Sequence, residues 1–308
     1  MPYNSITNKS LLILLFNANG LKNHDIELQN VLYNRRIDIA LITETHFTKY
    51  STIHIPGYKL LITNHPDGTA HGGVAILIKS TVLFEPLPNF CLDHLQSCAI
   101  IVKLNNIPIT IAAIYSPPKH KLTVNHYANY FNTVGNNFLI GGDFNAKHHS
   151  WGCRANNPRG SVLHNFVSQK NFKVLAPPGP TYWPASVRKN PDILDIFVAK
   201  IPNNIHSNTA NILDLNSDHS SVILTLNVST PLRPVPPKLF NCTTNKLQFH
   251  DLVDHRIKLN VKLKSEDDLD SAAINFTNII QSSAWSSSKP TTSPSNSFFT
   301  PDNIRVRL

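Results

Sequence analysis

A series of short apolar runs, rich in isoleucine, valine and leucine, recurs between about residues 9 and 228 and constrains the fold most strongly. Each run has the length of a β-strand, and several are apolar on both faces. Strands that are buried from both sides need further layers packed over them. The runs are LLILLF, IDIALIT, GGVAILIK, SCAIIVKL, IPITIAAIY, NFLIGG, DILDIFVA and SSVILTLNV.

Amphipathic stretches separate some of these runs. Residues 24–36, 124–134 and 160–171 each carry apolar residues at helical spacing. No internal repeat of fixed period is visible. The pattern predicts an α/β fold with many strands and few long helices.

A change of composition near residue 229 predicts a domain boundary. The stretch STPLRPVPPK has four prolines in ten residues and predicts an extended linker. Helical patterns follow at residues 246–259 and from Ser265, which has a capping pattern with Asp268. The stretch SSSKPTTSPSNS is poor in apolar residues and predicts a disordered tail. We therefore expect one domain over residues 1–228 and an appendage over residues 229–308.

The charge of the chain indicates a polyanionic partner. Lys and Arg total 28 against 19 Asp and Glu, which gives a formal net charge of +9. Such an excess favours nucleic acid first and an anionic membrane surface second. A basic surface that serves only solubility is the alternative. The hydrophobic content of 41% suffices for one large domain.

The cysteines and the N-terminal region favour a reduced, intracellular protein. Cys91, Cys98, Cys153 and Cys242 form no C-x-x-C pair. The run LLILLF has no basic segment before it and no cleavage pattern after it, so it indicates a strand and not a signal peptide. No clear targeting signal is present, and no segment approaches the roughly 18 apolar residues of a membrane span.

Polar residues with catalytic potential follow or interrupt the predicted strands. Each short motif alone is compatible with an ordinary turn, a solvated carboxylate or simple packing. An acid inside the apolar run PDILDIFVA is more informative, because a buried carboxylate costs several kcal/mol unless it is paired. The residues are Asn17, Asn19, Glu44, Tyr115, Asp143, Asn145, Asp195, Asp218 and His219.

The stretch GGDFNA is the most distinctive of these motifs. Its glycines allow close approach to the backbone. If the strand continues, Asp143 and Asn145 point to the same side and Phe144 points into the core. We therefore expect an acid and an amide side by side at this strand end.

Strand ends in a layered α/β protein can meet at one rim, where these groups would form a phosphoesterase site with a divalent metal. Oxygen ligands such as Glu44 and Asp143 suit Mg²⁺ or Mn²⁺. No set of cysteines and histidines has the spacing typical of zinc, and His148 and His149 would point to opposite faces of a strand. The motif G-x-S-x-G and the P-loop are absent from the sequence.

The order of the motifs N-x-N, E-T, Y, G-D-x-N, L-D and S-D-H resembles the endonuclease/exonuclease/phosphatase superfamily, which includes DNase I and the apurinic/apyrimidinic endonucleases. The resemblance covers roughly residues 9–228. Within the superfamily, the stretches LLFNANGL, ITETHF, GGDFNAKHHSWGCR, NPRGSVLHNF and PTYWP are similar to the endonuclease domain of jockey-type non-LTR retrotransposons. Residues after 229 resemble the connector that leads toward a reverse transcriptase, which we expect to be absent from these 308 residues.

The resemblance implies a DNase I-like four-layer α/β sandwich, in which two packed β-sheets are flanked by helices. It also implies Mg²⁺-dependent hydrolysis of one DNA phosphodiester, with Mn²⁺ as a possible substitute. The 3′-hydroxyl left at the nick would prime reverse transcription, which places the action in the nucleus and not at a membrane. Element RNA would be a further partner if the chain is part of a longer polyprotein.

The resemblance also implies roles for the metal site. Glu44 would hold the metal, assisted by Asn17 and Asn19. Asp218 would lie near the metal or the leaving group. Repair-type apurinic enzymes usually carry an acid where Asn19 stands, so the amide leaves one fewer negative charge for the metal. The superfamily often has a proline where Ser221 stands, which affects the local turn more than the chemistry.

For the catalytic groups, the resemblance implies that Asp143 orients or deprotonates the attacking water, with Asn145 beside it. His219 would contact the scissile phosphate, and Asp195 would set the orientation of the imidazole ring. Tyr115 would donate a hydrogen bond to a phosphate oxygen.

Three basic residues near the GGDFNA motif are candidates for contacts to the DNA backbone. They are Lys147, Arg154 and Arg159. Such contacts position DNA without reading its sequence. Solvated surface is the alternative for each of them.

Two other functions stay open on the sequence. One is a phosphatase of the same superfamily that acts on an inositol phosphate or a lipid headgroup. The other is a non-catalytic nucleic-acid-binding remnant, since copies of mobile elements decay. The basic charge and the stretch DFNAKHHSWGC favour a nuclease that acts on DNA.

Overall fold

The structure is a computed structural model, and it divides the chain into two compact units, Met1–Pro234 and Val235–Leu308. The domain assignment made from the sequence, with a boundary at residue 228, stays a prediction. The described residues are 7–8, 10–186, 188–232, 239–240, 243–258, 261 and 263–288.

The first unit contains all the described strands and three α-helices. Two short 3₁₀ helices, Leu21–Asn23 and His149–Trp151, accompany them. The helices are α1 (Asp25–Asn34), α2 (Val124–Phe131) and α3 (Pro158–Gln169). The strands are β1 (Thr7–Asn8), β2 (Leu11–Asn17), β3 (Ile39–Thr43), β4 (Tyr58–Thr63), β5 (Val74–Lys79), β6 (Phe84–Pro86), β7 (Phe90–Leu92), β8 (Leu95–Leu104), β9 (Ile107–Tyr115), β10 (Phe138–Asp143), β11 (Lys173–Leu175), β12 (Asp195–Lys200), β13 (Ser207–Ile212), β14 (Ser221–Leu226) and β15 (Thr230–Pro231).

The strands form two mixed sheets and one small pair. The six-stranded sheet has the order β13-β14-β2-β3-β5-β4. The seven-stranded sheet has the order β11-β12-β10-β9-β8-β6, and β7 also pairs with β8. Strands β1 and β15 pair with each other. Each of the apolar runs in the sequence overlaps a strand of one of the two large sheets.

Three apolar clusters give the unit its layers. The first contains alternate residues from strands of both sheets, such as Ile13 of β2 and Ile111 of β9, and fills the space between the sheets. The second packs α2 and α3 on the outer face of the seven-stranded sheet, and the third packs α1 on the outer face of the six-stranded sheet. In β2, Leu14 and Phe16 belong to the third cluster, so this strand is buried on both faces. The predicted four-layer sandwich is confirmed.

The pairing register brings polar strand ends to one rim. Strands β2 and β3 are parallel, with Asn17 opposite Thr43 at their carboxyl ends. Strands β9 and β10 are also parallel and end with Tyr115 opposite Asp143. Strand β12 runs antiparallel to β10 and begins with Asp195 opposite Asp143. The ends of both sheets therefore present these side chains next to one another.

The second unit contains α4 (Lys246–Arg256) and α5 (Glu266–Ser286). Asn245 caps α4, and Ser265 Oγ accepts a hydrogen bond from Asp268 N at the start of α5, as the capping pattern predicted. Most of the proline-rich stretch beyond residue 232 and the predicted disordered tail beyond residue 288 lie outside the described residues.

The described helices include none with the length and apolar character needed to cross a lipid bilayer. Cys91, Cys98 and Cys153 are free thiols, and Cys242 lies outside the described residues.

Gly142 provides a test of how closely β9 and β10 pack. A Cβ atom at this position would lie 1.7 Å from the carbonyl oxygen of Ile114, which is backbone and cannot move aside cheaply. We expect Gly142→Ala to lower the free energy of unfolding by about 1–3 kcal/mol or more, measured by urea denaturation. Gly179→Ala is the control, because its added methyl would meet Asn211 Oδ1 at an ordinary 3.7 Å. An equal loss of unfolding free energy in the two variants would contradict the pairing register of β9 and β10.

Candidate active site

One amide group links carboxylates that come from the two different sheets. Asn17 Nδ2 donates hydrogen bonds to Glu44 Oε1 at 2.9 Å and to Asp143 Oδ2 at 3.1 Å. Asn17 and Asp143 are buried, and Glu44 is half-buried. Asn17 Oδ1 accepts from Asn19 N at 3.2 Å, and the amide nitrogen of Asn17 orients Glu44. The predicted metal role of Asn17 stays a prediction.

Glu44 is held in an unusual backbone conformation directly after β3. Its φ of 51° lies in the left-handed region, and its carbonyl accepts from Gly20 N at 2.9 Å. Burial alone would raise the pKa of Glu44, but hydrogen bonds from His46 and Asn17 outweigh it and lower the pKa. His46 Nε2 lies 3.5 Å from Glu44 Oε2. Glu44 is therefore an ionised carboxylate at neutral pH.

Asp143 and Asn145 are adjacent, although not for the reason expected. Strand β10 ends at Asp143, and Asn145 has a left-handed φ of 49°, so the strand does not continue to Asn145. The turn instead lets Asn145 N donate to Asp143 Oδ1 at 2.8 Å and Nδ2 donate to Oδ2 at 3.0 Å. Phe144 is fully buried in the core, as predicted.

His219 and Asp195 form a buried acid–histidine pair. His219 Nδ1 lies 2.7 Å from Asp195 Oδ2. Thr181 Oγ1 accepts from Asp195 N at 3.1 Å, which fixes the start of β12. Burial alone would lower the pKa of His219, but the charge of Asp195 and the hydrogen bond to it raise the pKa to about 10. His219 is therefore a cation at neutral pH.

The site carries a surplus of negative charge. Burial raises the pKa of Asp143, and the charges of Asp195 and Glu44 raise it further. Asp195 Oδ1 has no hydrogen-bond partner among the described residues. Because the free ligand atoms are carboxylate oxygens and His219 is committed to Asp195, the donor set fits a hard cation such as Mg²⁺ or Mn²⁺.

Asn19 and Asp218 lie together at the mouth of the site. Asn19 Nδ2 donates to Asp218 Oδ1 at 3.4 Å, and both residues are exposed. Ser217, next to Asp218, connects this exposed pair to the buried residues of the site, because Ser217 Oγ donates to Asn17 O at 2.9 Å. Their predicted metal roles stay predictions.

A cleft of about 820 Å³ opens over these groups. Tyr115 is only 7% exposed. Burial raises its pKa above the usual range of a tyrosine, and the charges of Glu44 and Asp143 add to the shift, so Tyr115 remains a hydrogen-bond donor. The lining includes eight of the predicted site residues, namely Glu44, Tyr115, Asp143, Asn145, Lys147, Arg159, Asp218 and His219.

The three predicted DNA contacts differ in their surroundings. Lys147 lines the cleft and pairs with Asp192 at 3.2 Å. Arg154 is exposed. Arg159 is buried, and its guanidinium donates to Ser116 O and Oγ, both at 2.7 Å, and to Pro117 O at 2.8 Å. Arg159 also lines the cleft, so its predicted contact to DNA stays a prediction, although its donors are engaged inside the protein.

Sequence reasoning missed three residues around the site. His46 contacts Glu44, and Thr181 anchors Asp195. Tyr182 lines the cleft with its ring 5.0 Å from that of His219. The stretches ITETHF and PTYWP contain them, but no pattern within these stretches distinguishes the three residues from ordinary turn or packing residues.

Comparisons with known proteins agree with this fold. Residues 109–223 match a sequence family described as endonuclease–reverse transcriptase. A probable RNA-directed DNA polymerase from transposon X-element of Drosophila melanogaster is 31% identical over 275 residues, and the RNA-directed DNA polymerase from mobile element jockey of the same species is 30% identical over 273 residues. These alignments cover 89% and 88% of this chain, but the chain spans only 30% of each relative.

Two solved structures share the architecture. The endonuclease domain of TRAS1, a telomere-specific non-LTR retrotransposon, has a TM-score of 0.57 and 19% identity, and the match covers 71% of this chain and 99% of that domain. An AP endonuclease from Archaeoglobus fulgidus has a TM-score of 0.53 and 16% identity, with 70% and 98% of the chains covered. At this level of identity the likeness shows the fold alone.

The acid–histidine pair predicts an unusual titration. We expect the His219 ring to lose its proton only near pH 10, and Asp195→Asn to lower this pKa, because the neighbouring charge that raises it most is removed. The stabilisation from the pair should be complete below about pH 6.5 and disappear as the pH rises through about 10. Ring ¹⁵N chemical shifts measure the pKa directly.

The control is Asp214→Asn, which removes a surface carboxylate that pairs with Arg35 at 2.8 Å. It should leave the His219 titration unchanged. A His219 midpoint near 6.5 in the unmodified protein would contradict the charged pair.

Proposed function

Since the chain belongs to the endonuclease/exonuclease/phosphatase superfamily, in the branch of jockey-type non-LTR retrotransposons, we propose that it is a Mg²⁺-dependent endonuclease that nicks DNA. One observation carries the proposal. Asn17 holds Glu44 and Asp143 together beside the pair of His219 and Asp195. An ionised acid, a second acid, and a cation thus face one cleft.

Glu44 is the residue we propose to hold the metal, because it is ionised and only half-buried. When bound, Mg²⁺ or Mn²⁺ would supply positive charge to the phosphate oxygens and polarise water. Asn17 would keep the Glu44 carboxylate in place, and Asp218 with Asn19 would complete the site from the solvent side.

Side chains of the protein would activate the attacking water and stabilise the charge on the phosphate. Asp143, whose pKa is raised, would accept the proton of the attacking water, since a base acts best when its pKa lies near the working pH. Asn145 would keep Asp143 oriented through its two hydrogen bonds. His219 as a cation and Tyr115 as a neutral donor would stabilise the charge that develops on the phosphate oxygens.

The proposed product and partners are inferred from the names of the similar proteins. The X-element and jockey proteins are named as RNA-directed DNA polymerases, and this chain aligns with 30% of each. We propose that the nick leaves a 3′-hydroxyl that primes reverse transcription of element RNA, with the action in the nucleus. Lys147 and Arg154 would contact the DNA backbone, which the net charge of +9 attracts over a longer range.

Nicking of supercoiled plasmid tests the catalytic assignments. Asp143→Asn and His219→Ala should each lower the nicking rate about 100-fold or more, since each removes a group needed in the transition state. DNA binding, measured by fluorescence anisotropy, should persist. Mapping of the nick ends should find a 3′-hydroxyl.

The matched controls are Asp214→Asn and His206→Ala, which change exposed residues outside the cleft lining. Both should nick at the rate of the unmodified protein. Nicking that is unchanged in Asp143→Asn and His219→Ala would refute the assignment. Release of phosphate from inositol polyphosphates without nicking would instead indicate a phosphatase.

A metal titration tests Glu44. Glu44→Gln should raise the Mg²⁺ concentration for half-maximal nicking by about tenfold or more, because a neutral amide binds a hard cation far less well than a carboxylate. Glu85→Gln is the control, since Glu85 is an exposed residue of β6. The same Mg²⁺ dependence in both variants would remove Glu44 from the metal site.

A further inference from the structure

The loop between β4 and β5 gathers three metal-ligating side chains that do not belong to the lining of the catalytic cleft. Its sequence is NHPDGTAHGG, residues 64–73. Pro-Asp-Gly is a strong turn sequence, and Gly68 adopts a positive φ of 74° while its N donates to His65 O at 3.0 Å. The turn therefore brings Asp67 back toward His65.

The side chains converge closely. His65 Nδ1 lies 2.9 Å from Asp67 Oδ1, and His71 Nε2 lies 3.5 Å from Asp67 Oδ2. The two imidazole rings have their centroids 3.9 Å apart. One ligand atom from each of the three residues lies within 4.8 Å of the others. Two imidazoles and one carboxylate thus face a common point.

Thr69 orients two of the three groups. Its N and Oγ1 donate to Asp67 Oδ1 at 2.8 and 3.0 Å, and Oγ1 lies 2.6 Å from His71 Nδ1. With Nδ1 engaged in this way, the lone pair of His71 Nε2 is available to a metal.

The location allows an ion to enter from solvent. His65 is 9% exposed, whereas Asp67 and His71 have side-chain exposures of 46% and 51%. The site is therefore anchored on its buried side and open on the other. This arrangement is common for a metal site that keeps a coordination position for water.

We propose that His65, Asp67 and His71 bind a divalent transition-metal ion, with Zn²⁺ as the best match. Imidazole nitrogen suits Zn²⁺ and its neighbours in the first transition row, whereas Mg²⁺ prefers oxygen ligands. Two imidazole rings whose centroids lie 3.9 Å apart can both reach one cation. The site differs in ligand type from the oxygen-rich group around Glu44.

The loop also contacts the segment that carries Glu44. Gly72 O accepts from His46 N at 3.0 Å, and Gly73 O accepts from Thr45 N at 3.4 Å. A metal held by His65, Asp67 and His71 would thus order the edge of the cleft without taking part in phosphate hydrolysis.

Calorimetric titration of the full chain with ZnCl₂ tests the proposal. The Glu44→Gln variant serves as the parent, so that binding at the catalytic acids is reduced. His71→Ala in this parent should weaken Zn²⁺ binding by at least about 10- to 100-fold. Loss of a residue that only hydrogen-bonds to a metal ligand already lowers metal affinity by that factor, and His71 is a proposed ligand. His94→Ala is the control, because the His94 ring also lies close to the ring of a second histidine, His126, with 4.6 Å between the centroids.

A second variant and a direct spectroscopic measurement distinguish loss of the metal site from misfolding of the His71→Ala variant. Asp67→Asn changes an exposed side chain and should weaken Zn²⁺ binding while leaving the thermal midpoint of the metal-free protein unchanged. Zn²⁺ should shift the ring ¹⁵N signals of His65 and His71 and spare those of His94. Equal Zn²⁺ affinity in the parent, His71→Ala and Asp67→Asn would overturn the proposal and leave a hydrogen-bonded network only.

Discussion

The contact on which the site depends is the amide of Asn17 between Glu44 and Asp143. Two carboxylates that approach each other in a buried place repel, and burial raises the cost further. The amide lowers this cost by donating to both, and the neighbouring cation His219 offsets part of the charge. Because the two acids come from different sheets, the contact also requires the strand ends of both sheets to stay in register at one rim.

Much of the fold could be predicted from the sequence because the central strands are buried on both faces. Strand β2 alternates between the inter-sheet cluster and the cluster under α1, so nearly every residue in it is apolar. Strands β4 and β13 were missed, and both lie at edges of the six-stranded sheet. The sequence of β13, SNTANI, is mostly polar because an edge strand of this kind buries little side-chain surface.

The convergence of the site residues could be predicted because strand ends in a layered α/β protein can meet at one rim, and because the order of the motifs resembles a known superfamily. What the sequence did not reveal depends on side-chain environment. The basic charge of Arg159 suggested DNA, whereas its donors serve carbonyls of a neighbouring loop. The left-handed turn at Asn145, which brings its amide back to Asp143, was not apparent from the sequence. The group of two histidines and one aspartate in the β4–β5 loop has a spacing that becomes meaningful only after the turn at Gly68 is known.

Arg159 has a consequence for the shape of the cleft. Its guanidinium holds Pro117 O and His120 O from behind, and the segment it grips includes Pro118 and Leu122, which line one wall of the cleft. The planar fork of arginine can reach several carbonyls at once, which a lysine ammonium on a single flexible stem matches poorly. Arg159 therefore fixes a segment of the cleft lining from inside the protein, and a change of cleft shape in this scaffold would have to take account of Arg159 as well as of the exposed residues.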